Sequence, residues 1–268
     1  MRQVPERGIE AYYNLGLERG RLDVGPGQLE FIRTEQLLTR FLPKPPVAIL
    51  DVGGGAGRYA VPLASRGYDV HLIDPIQLHV DQARQTKAPR VTASVGDARQ
   101  LDVPDESVDA VIMLGPLYHL TERADRVKAL SEARRVCRDG GVILAAAISR
   151  WASTLDGMLY GDLADPTFAV IAANDRRDGQ HRNPTDNPNW FTTAYFHAPA
   201  ELAHECSDAG LTHEATLAIE GPGWLLSDVT ARLAEARGRK VLLDAIEALE
   251  AEPSAIGVSA HLMIVARR

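Results

Sequence analysis

Cysteine is scarce in this chain: two residues in 268, Cys137 and Cys206, at no metal-ligand spacing. Both fall in helix-like stretches (ARRVCR and AHECSDAG), which predicts two reduced thiols and excludes a disulfide scaffold or a zinc module. Long apolar runs are missing as well. The longest, Gly141 to Ile148 (GVILAAAI), has the length of a buried strand and falls far short of a bilayer span. The opening MRQVPERGIEAYYN has no apolar export core, so the expectation is a cytoplasmic protein with no membrane partner. Basic charge is also in deficit, with 29 Lys and Arg against 36 Asp and Glu and a formal charge of −7. That balance argues against nucleic acid as the main partner, because phosphate contacts need clustered cations. The basic stretch near 231–240 reads as a solvated helix face.

What is present is alternation. Seven strand-like segments (47–52, 68–74, 90–97, 108–114, 141–149, 211–219 and 259–267) are interleaved with helix-like ones. The pattern predicts an α/β fold: a doubly wound, Rossmann-like, seven-stranded and mostly parallel sheet with helices on both faces. Helices are expected at 58–66, 77–85, 123–138, 198–209 and within 226–250. Residues 150–196 break the rhythm, with Pro166, Pro184 and Pro188 among many aromatics, and read as an irregular lid or pocket wall. The chain is therefore expected to form one domain over 1–268. Its parts are an N-terminal helical lid (1–46), a ligand-binding core (47–149), a substrate-capping insert (150–196) and the C-terminal part of the sheet (197–268), with a helical insert at about 221–252.

Directly after the first strand comes Asp51-Val52-Gly53-Gly54-Gly55-Ala56-Gly57. Glycines at that position let the backbone turn tightly and approach a ligand. The competing reading is a dinucleotide site, whose fingerprint is G-x-G-x-x-G or A. Counted from Gly53 and Gly55, the third position is Arg58, too bulky for close helix–strand packing, and the frame is instead D-x-G-x-G-x-G. Asp51 would repel a pyrophosphate and attract an ammonium group. S-adenosylmethionine offers that ammonium and has no phosphate. Asp74 ends the second strand, where a carboxylate can accept from both hydroxyls of a ribose; capping the next helix at Pro75 is a compatible role. Asp97, with Ala98, ends the third strand and can accept from an adenine amino group, or can simply form a turn.

The runs ILDVGGGAGRYAVPLASRGYDVHLID, VGDARQLDVPDESVDAVIMLGPLYHL and ALSEARRVCRDGGVILAA resemble, in order and spacing, the motifs of class I S-adenosylmethionine-dependent methyltransferases. The likeness is strongest to small-molecule enzymes such as those of the ubiquinone/menaquinone pathway, and it covers about residues 47–149. It implies S-adenosyl-L-methionine as cofactor, S-adenosyl-L-homocysteine as product, and a small-molecule acceptor methylated on oxygen or nitrogen. Donor binding is implied for Asp51, Gly53, Gly54, Gly55, Gly57, Asp74, Pro75, Asp97, Ala98, Leu114, Gly115 and Tyr118, and for Tyr13 and Arg21 from the preceding segment. A fold-sharing protein that binds the donor without transferring methyl, or a methyltransferase acting on RNA or protein, are the alternatives; monomer and homodimer both stay open.

Methyl transfer asks the protein for alignment, desolvation and, for some acceptors, proton removal. His119, beside Gly115 and Tyr118, is the candidate general base, with His181 as a second. Packing behind the cofactor is the plainer role for His119. Tyr12, Trp151, His181, Tyr195, His197 and Trp224 are the candidate acceptor-binding residues, since aromatic walls suit a planar or apolar acceptor. No carboxylate cluster follows the fourth strand, so no metal is expected. His71, His79, His204 and His213 read as structural or surface residues.

Overall fold

The computed structural model describes Ile9, Tyr12 and residues 18–268 other than Asp186, with Glu18 and Arg19 described by their backbone alone. Its centre is a sheet in which β1 (Ala48–Val52), β2 (Asp69–Asp74), β3 (Val91–Val95), β4 (Val108–Met113) and β5 (Cys137–Ser149) lie parallel in the order β3-β2-β1-β4-β5. Beyond β5 the sheet continues antiparallel through β9 (His261–Arg267) to β8 (Thr212–Ala218).

Side chains alternate across each strand, so each face collects its own core. On one face Leu50, Val52, Val111, Met113 and Ile143 pack against α6 (Arg123–Val136) and α9 (Pro199–Asp208). On the other, Ile49, Leu72, Ile112 and Leu144 meet α2 (Gly25–Phe41), α3 (Ala60–Ser65) and α4 (Gln77–Gln85). Asp51 belongs by parity to this second face. A short helix, α1 (Glu18–Arg21), precedes α2, and α5 (Pro116–His119) follows β4. α2 docks by a stripe of Leu29, Arg33 and Leu37, and Arg33, fully buried, donates from Nε to the Ile219 carbonyl at 3.0 Å and pairs with Glu250.

Among the described residues the strand count is nine, not seven. β5 is 13 residues long and overhangs β4, whose pairing ends at Met113↔Ala145. Past that point β7 (Ala194–His197) takes the vacated edge, parallel at Ile148↔Phe196 and Ser149↔His197, and β6 (Gln180–His181) pairs with β7.

The segment expected to be irregular holds two helices, α7 (Ala152–Tyr160) and α8 (Pro166–Asp178). Pro166, Gly161 and Gly179 mark helix ends instead of loops. Asp165 caps α8 by accepting from Thr167 N at 2.7 Å, Pro166 fills the first turn where no N–H is needed, and Gly161 and Gly179 end the helices with φ of 86° and 76°. β5 likewise starts at Cys137, four residues before Gly141, because α6 runs straight into the strand through a register shift opposite Val108 and Ala110. α10 (Val229–Ala234) and α11 (Ala236–Leu249) lie between β8 and β9. Among the described residues no helix is long and apolar enough to cross a membrane.

One buried ionic cluster ties the layers together. Arg126 of α6 donates to both Glu205 oxygens of α9, lies 3.6 Å over the Tyr195 ring, and donates through Nη1 to the carbonyls of Leu120 (2.8 Å) and Thr121 (2.9 Å). Removing one member of such a buried set strands the other charge. Glu205→Ala is therefore expected to lower unfolding free energy by about 3–5 kcal/mol, read from urea midpoints; a midpoint within error of wild type refutes the assignment.

Candidate functional site

The strand order reverses between β1 and β4, and a crevice at the carboxyl ends of parallel strands opens at such a switch point. Here it is a cavity of ≈ 1190 Å³ walled by the segments that follow β1, β2, β3 and β4. Gly53 controls its closest approach. With φ of 72°, its N donates to Ile73 O at 2.6 Å, and a Cβ placed there would lie 2.7 Å from the Pro116 ring. Gly55 and Gly57 also have positive φ, so the frame read as D-x-G-x-G-x-G has its alternate glycines in the left-handed region. Arg58 points away from the helix–strand seam; its guanidinium stacks 4.4 Å from the Phe31 centroid and pairs with Asp23. No small residue packs there, as a dinucleotide loop requires.

Three acids lie at or beside the ends of three successive strands. Asp51 is 1% exposed and neither carboxylate oxygen has a hydrogen-bond partner among the described residues. Burial first, and the Asp74 charge second, push its carboxyl up to about 7. Asp74 is well bonded: Oδ2 accepts from Gly55 N (2.9 Å), and Oδ1 accepts from Ile76 N (2.9 Å) and meets His79 Nδ1 at 3.1 Å. It thus pins the glycine loop to β2 while starting α4. Asp97 accepts from Arg99 on both oxygens, at 2.9 and 2.7 Å. Burial alone would raise its carboxyl; the Arg99 hydrogen bonds and charge outweigh that and hold it low. A buried carboxylate left without a donor is costly, and an ammonium at Asp51 is the group that would satisfy it. The residues present fit the amino-acid end of S-adenosylmethionine.

Past β4, the Tyr118 hydroxyl donates to Leu114 O at 3.2 Å, and the ring stands between the large cavity and a second one of ≈ 210 Å³. Arg21 lines both. The Phe191 ring is the hub of the smaller chamber, 5.5 Å from Tyr12, 6.3 Å from Tyr118 and 5.8 Å from His119. Phe191 itself sits at φ 61°, ψ −171°, a region almost reserved for glycine and costing of order 1–3 kcal/mol. Trp224 closes the far side, its Nε1 donating to Val258 O at 2.8 Å.

Of the residues singled out from sequence, Arg21, Asp51, Gly53, Gly54, Gly55, Gly57, Asp74, Pro75, Asp97, Ala98, Leu114, Gly115, Tyr118 and His119 line the large cavity, and Tyr12, His181 and Trp224 the small one. Tyr13 lies outside the described residues. Several expectations need correction. His119 is a neutral imidazole near pH 7, since burial brings it down to about 4, and so is a weaker base than an ordinary histidine. His181 has no ring nitrogen to spare: Nδ1 meets Asp175 Oδ2 at 2.9 Å and Nε2 the Trp190 carbonyl at 2.8 Å. That rules it out as a base and leaves it as a wall. Tyr195 and His197 line neither cavity; the first lies under Arg126 and the second bonds Glu205 at 3.2 Å. Trp151 is 43% exposed at the start of α7 and lines neither cavity.

Sequence reasoning missed His79, which lines the large cavity, and Arg99, which clamps Asp97. The signal for His79 was its place on the first turn after a capping aspartate. It also missed Phe191, Asp156 and His261 in the small chamber, where nothing in the sequence joins segments so far apart.

The methyltransferase-domain family profile matches residues 49–141. An uncharacterised methyltransferase of Mycobacterium tuberculosis is 33% identical over 124 residues, 46% of this chain and 45% of that protein. A ubiquinone/menaquinone biosynthesis C-methyltransferase of a Caulobacter species is 31% identical over 167 residues, 54% of this chain and 65% of that one. The chain thus spans about half the length of the first of these relatives and somewhat more of the second. A solved S-adenosylmethionine-dependent methyltransferase of Methanosarcina mazei shares the fold, with TM-score 0.59 and 18% identity over 87% of this chain and 96% of that one. Residues 49–141 thus match a methyltransferase domain, and the chain shares the fold of solved S-adenosylmethionine-dependent methyltransferases.

Asp51 generates a test that needs no ligand. Its folded pKa of about 7 stands above the ordinary 3.8, so the ionised form is disfavoured in the fold. Below 3.8 it costs nothing; the cost grows as pH rises and is complete above 7, with a ceiling of about 4 kcal/mol. Asp51→Asn is expected to raise the donor-free melting temperature, more at pH 8 than at pH 5. Equal or lower melting at pH 8 contradicts this account.

Proposed function

We propose that this methyltransferase domain carries methyl from S-adenosylmethionine, seated in the large cavity, to a small molecule held in the aromatic chamber beside it. One observation carries the reading: the two cavities share a wall, at Tyr118 and Arg21. The donor supplies an activated methyl carbon and a neutral thioether leaving group. An acceptor electron pair forms the new bond to that carbon while the C–S pair returns to sulfur. The chain's own part is alignment and water exclusion.

The assignment of residues follows from chemistry. Asp51 takes the ammonium group, Asp74 the ribose hydroxyls and Asp97 with Ala98 the adenine. Tyr118 offers a ring face to the positive sulfonium side. His119, neutral, packs at the boundary. A volume of ≈ 210 Å³ supports a compact, planar acceptor over a polymer, as does the acidic balance of −7 over nucleic acid. Oxygen and nitrogen were the acceptor atoms expected from sequence; the C-methyltransferase relative adds carbon.

Calorimetry on the purified chain is expected to detect both S-adenosylmethionine and S-adenosylhomocysteine. Asp51→Asn should weaken them roughly 10- to 100-fold, the loss typical of one hydrogen bond to a charged group. Because a bound ammonium favours ionised Asp51, wild-type affinity should fall as pH drops below about 7, with proton release on binding near pH 6. Flat affinity across that window removes Asp51 from the site. Release of S-adenosylhomocysteine with small aromatic acceptors separates methyl transfer from passive donor binding.

A further inference from the structure

Four charged side chains meet where the aromatic chamber borders α2. His261, the first residue of β9, lines the chamber, and its Nδ1 meets Glu220 Oε1 at 2.5 Å and stands 3.8 Å from Glu30 Oε2. Glu220, 2% exposed, also accepts on Oε2 from Ser259 Oγ (2.9 Å) and from the His261 backbone N (3.0 Å). Glu30 accepts from both terminal nitrogens of Arg21. The ring is therefore held on its Nδ1 side by a carboxylate that is itself held from two directions. Its Nε2 makes no hydrogen bond to any described residue. A histidine in a chamber, oriented by a buried acid and with one nitrogen that no described residue engages, has the arrangement of a group built to meet a ligand.

Resting on the two-cavity reading above, we propose that His261, presented by Glu220 and backed by Glu30 and Arg21, donates from Nε2 to an anionic oxygen of the methyl acceptor. The acceptor class is then a compact planar molecule bearing a carboxylate or an ionised hydroxyl. A hydroxyl acceptor sheds its proton to solvent on binding, and the imidazolium keeps its own. The charges are consistent with this. Burial alone would lower the imidazole, but the Glu30 and Glu220 carboxylates outweigh it and push it up to about 9, so the ring is cationic at neutral pH. Glu30 is held low by His261 and Arg21 against its own burial.

Two rival readings of the cluster are weaker. Glu30, Glu220 and His261 place three ligand atoms within 4.8 Å of one another, yet Arg21 already occupies both Glu30 oxygens, so a metal ion would have to displace it. An acceptor bearing an ammonium would turn instead to Asp156, whose carboxyl burial and Asp162 push up to about 6.

Three probes of one shape decide between them: 4-nitrobenzoate, 4-nitrophenol and the neutral 4-nitroaniline, titrated at pH 8 with and without S-adenosylhomocysteine. The expected result is that one or both anions bind at least ~10-fold more tightly than the aniline, and that His261→Gln removes this preference while leaving aniline and S-adenosylhomocysteine binding within about twofold. Which anion is preferred separates a carboxylate acceptor from a hydroxyl one. Glu220→Gln, which keeps a hydrogen-bond partner for Nδ1, should reduce the preference by several fold and guards against a folding defect in the first variant. A preference that survives His261→Gln, tighter binding of the aniline, or no binding of any probe overturns the inference. Loss of S-adenosylhomocysteine binding alone falls on the donor assignment, and the probe comparison without it still decides this one.

Discussion

The site depends on a contact that a single methyl group would forbid. The loop leaving β1 and the segment leaving β4 touch because Gly53 presents no side chain to the Pro116 ring. That contact brings the buried carboxylate of Asp51 and the backbone of Leu114 and Gly115 to the same crevice. It also sets Tyr118 at the boundary with the acceptor side. Around it, Asp74 clips the glycine loop to β2 through Gly55 N, so the cradle is fixed from two directions before any ligand arrives. Preorganisation of this kind spares a bound molecule the entropy of ordering its own site.

Asp51 is where this framework works against folding. An acid with no hydrogen-bond partner among the described residues, 1% exposed and next to a second acid, opposes the native state near neutral pH. Residues that break a local rule in this way concentrate where function compensates for the strain. Phe191, held at φ 61° in the aromatic chamber, is a second instance.

The core was legible because local rules and the global fold agree over 47–149. Helix α4 falls at Gln77–Gln85 as the pattern indicates, and β1, β2 and β4 differ from expectation by a residue at most at each end. The three acids of the crevice were legible for the same reason, since each lies at or beside the end of a strand that periodicity alone locates. The insert was not. Pro166 and Gly161 carry equal weight as loop residues and as helix punctuation, and only the Asp165 cap distinguishes the two. The acceptor side was less readable still. Tyr195 and His197 share one face of β7 and Phe196 takes the other, and parity cannot say which face meets the chamber and which the buried Arg126–Glu205 pair. His261 meets Glu220 and Glu30 through contacts spanning most of the chain, and no spacing rule reaches that far.

The overhang of β5 also governs how much of the insert can vary. The insert between β5 and α9 is stitched into the main sheet at two residue pairs, Ile148↔Phe196 and Ser149↔His197, past the point where β4 has stopped. Its own helices are capped within themselves, by Asp165, Gly161 and Gly179. Its last strand is locked to the body, with Tyr195 under Arg126 and His197 on Glu205. The two helices before that strand can therefore change length or lining, and with them the shape of the aromatic chamber, without shifting the register of the parallel strands.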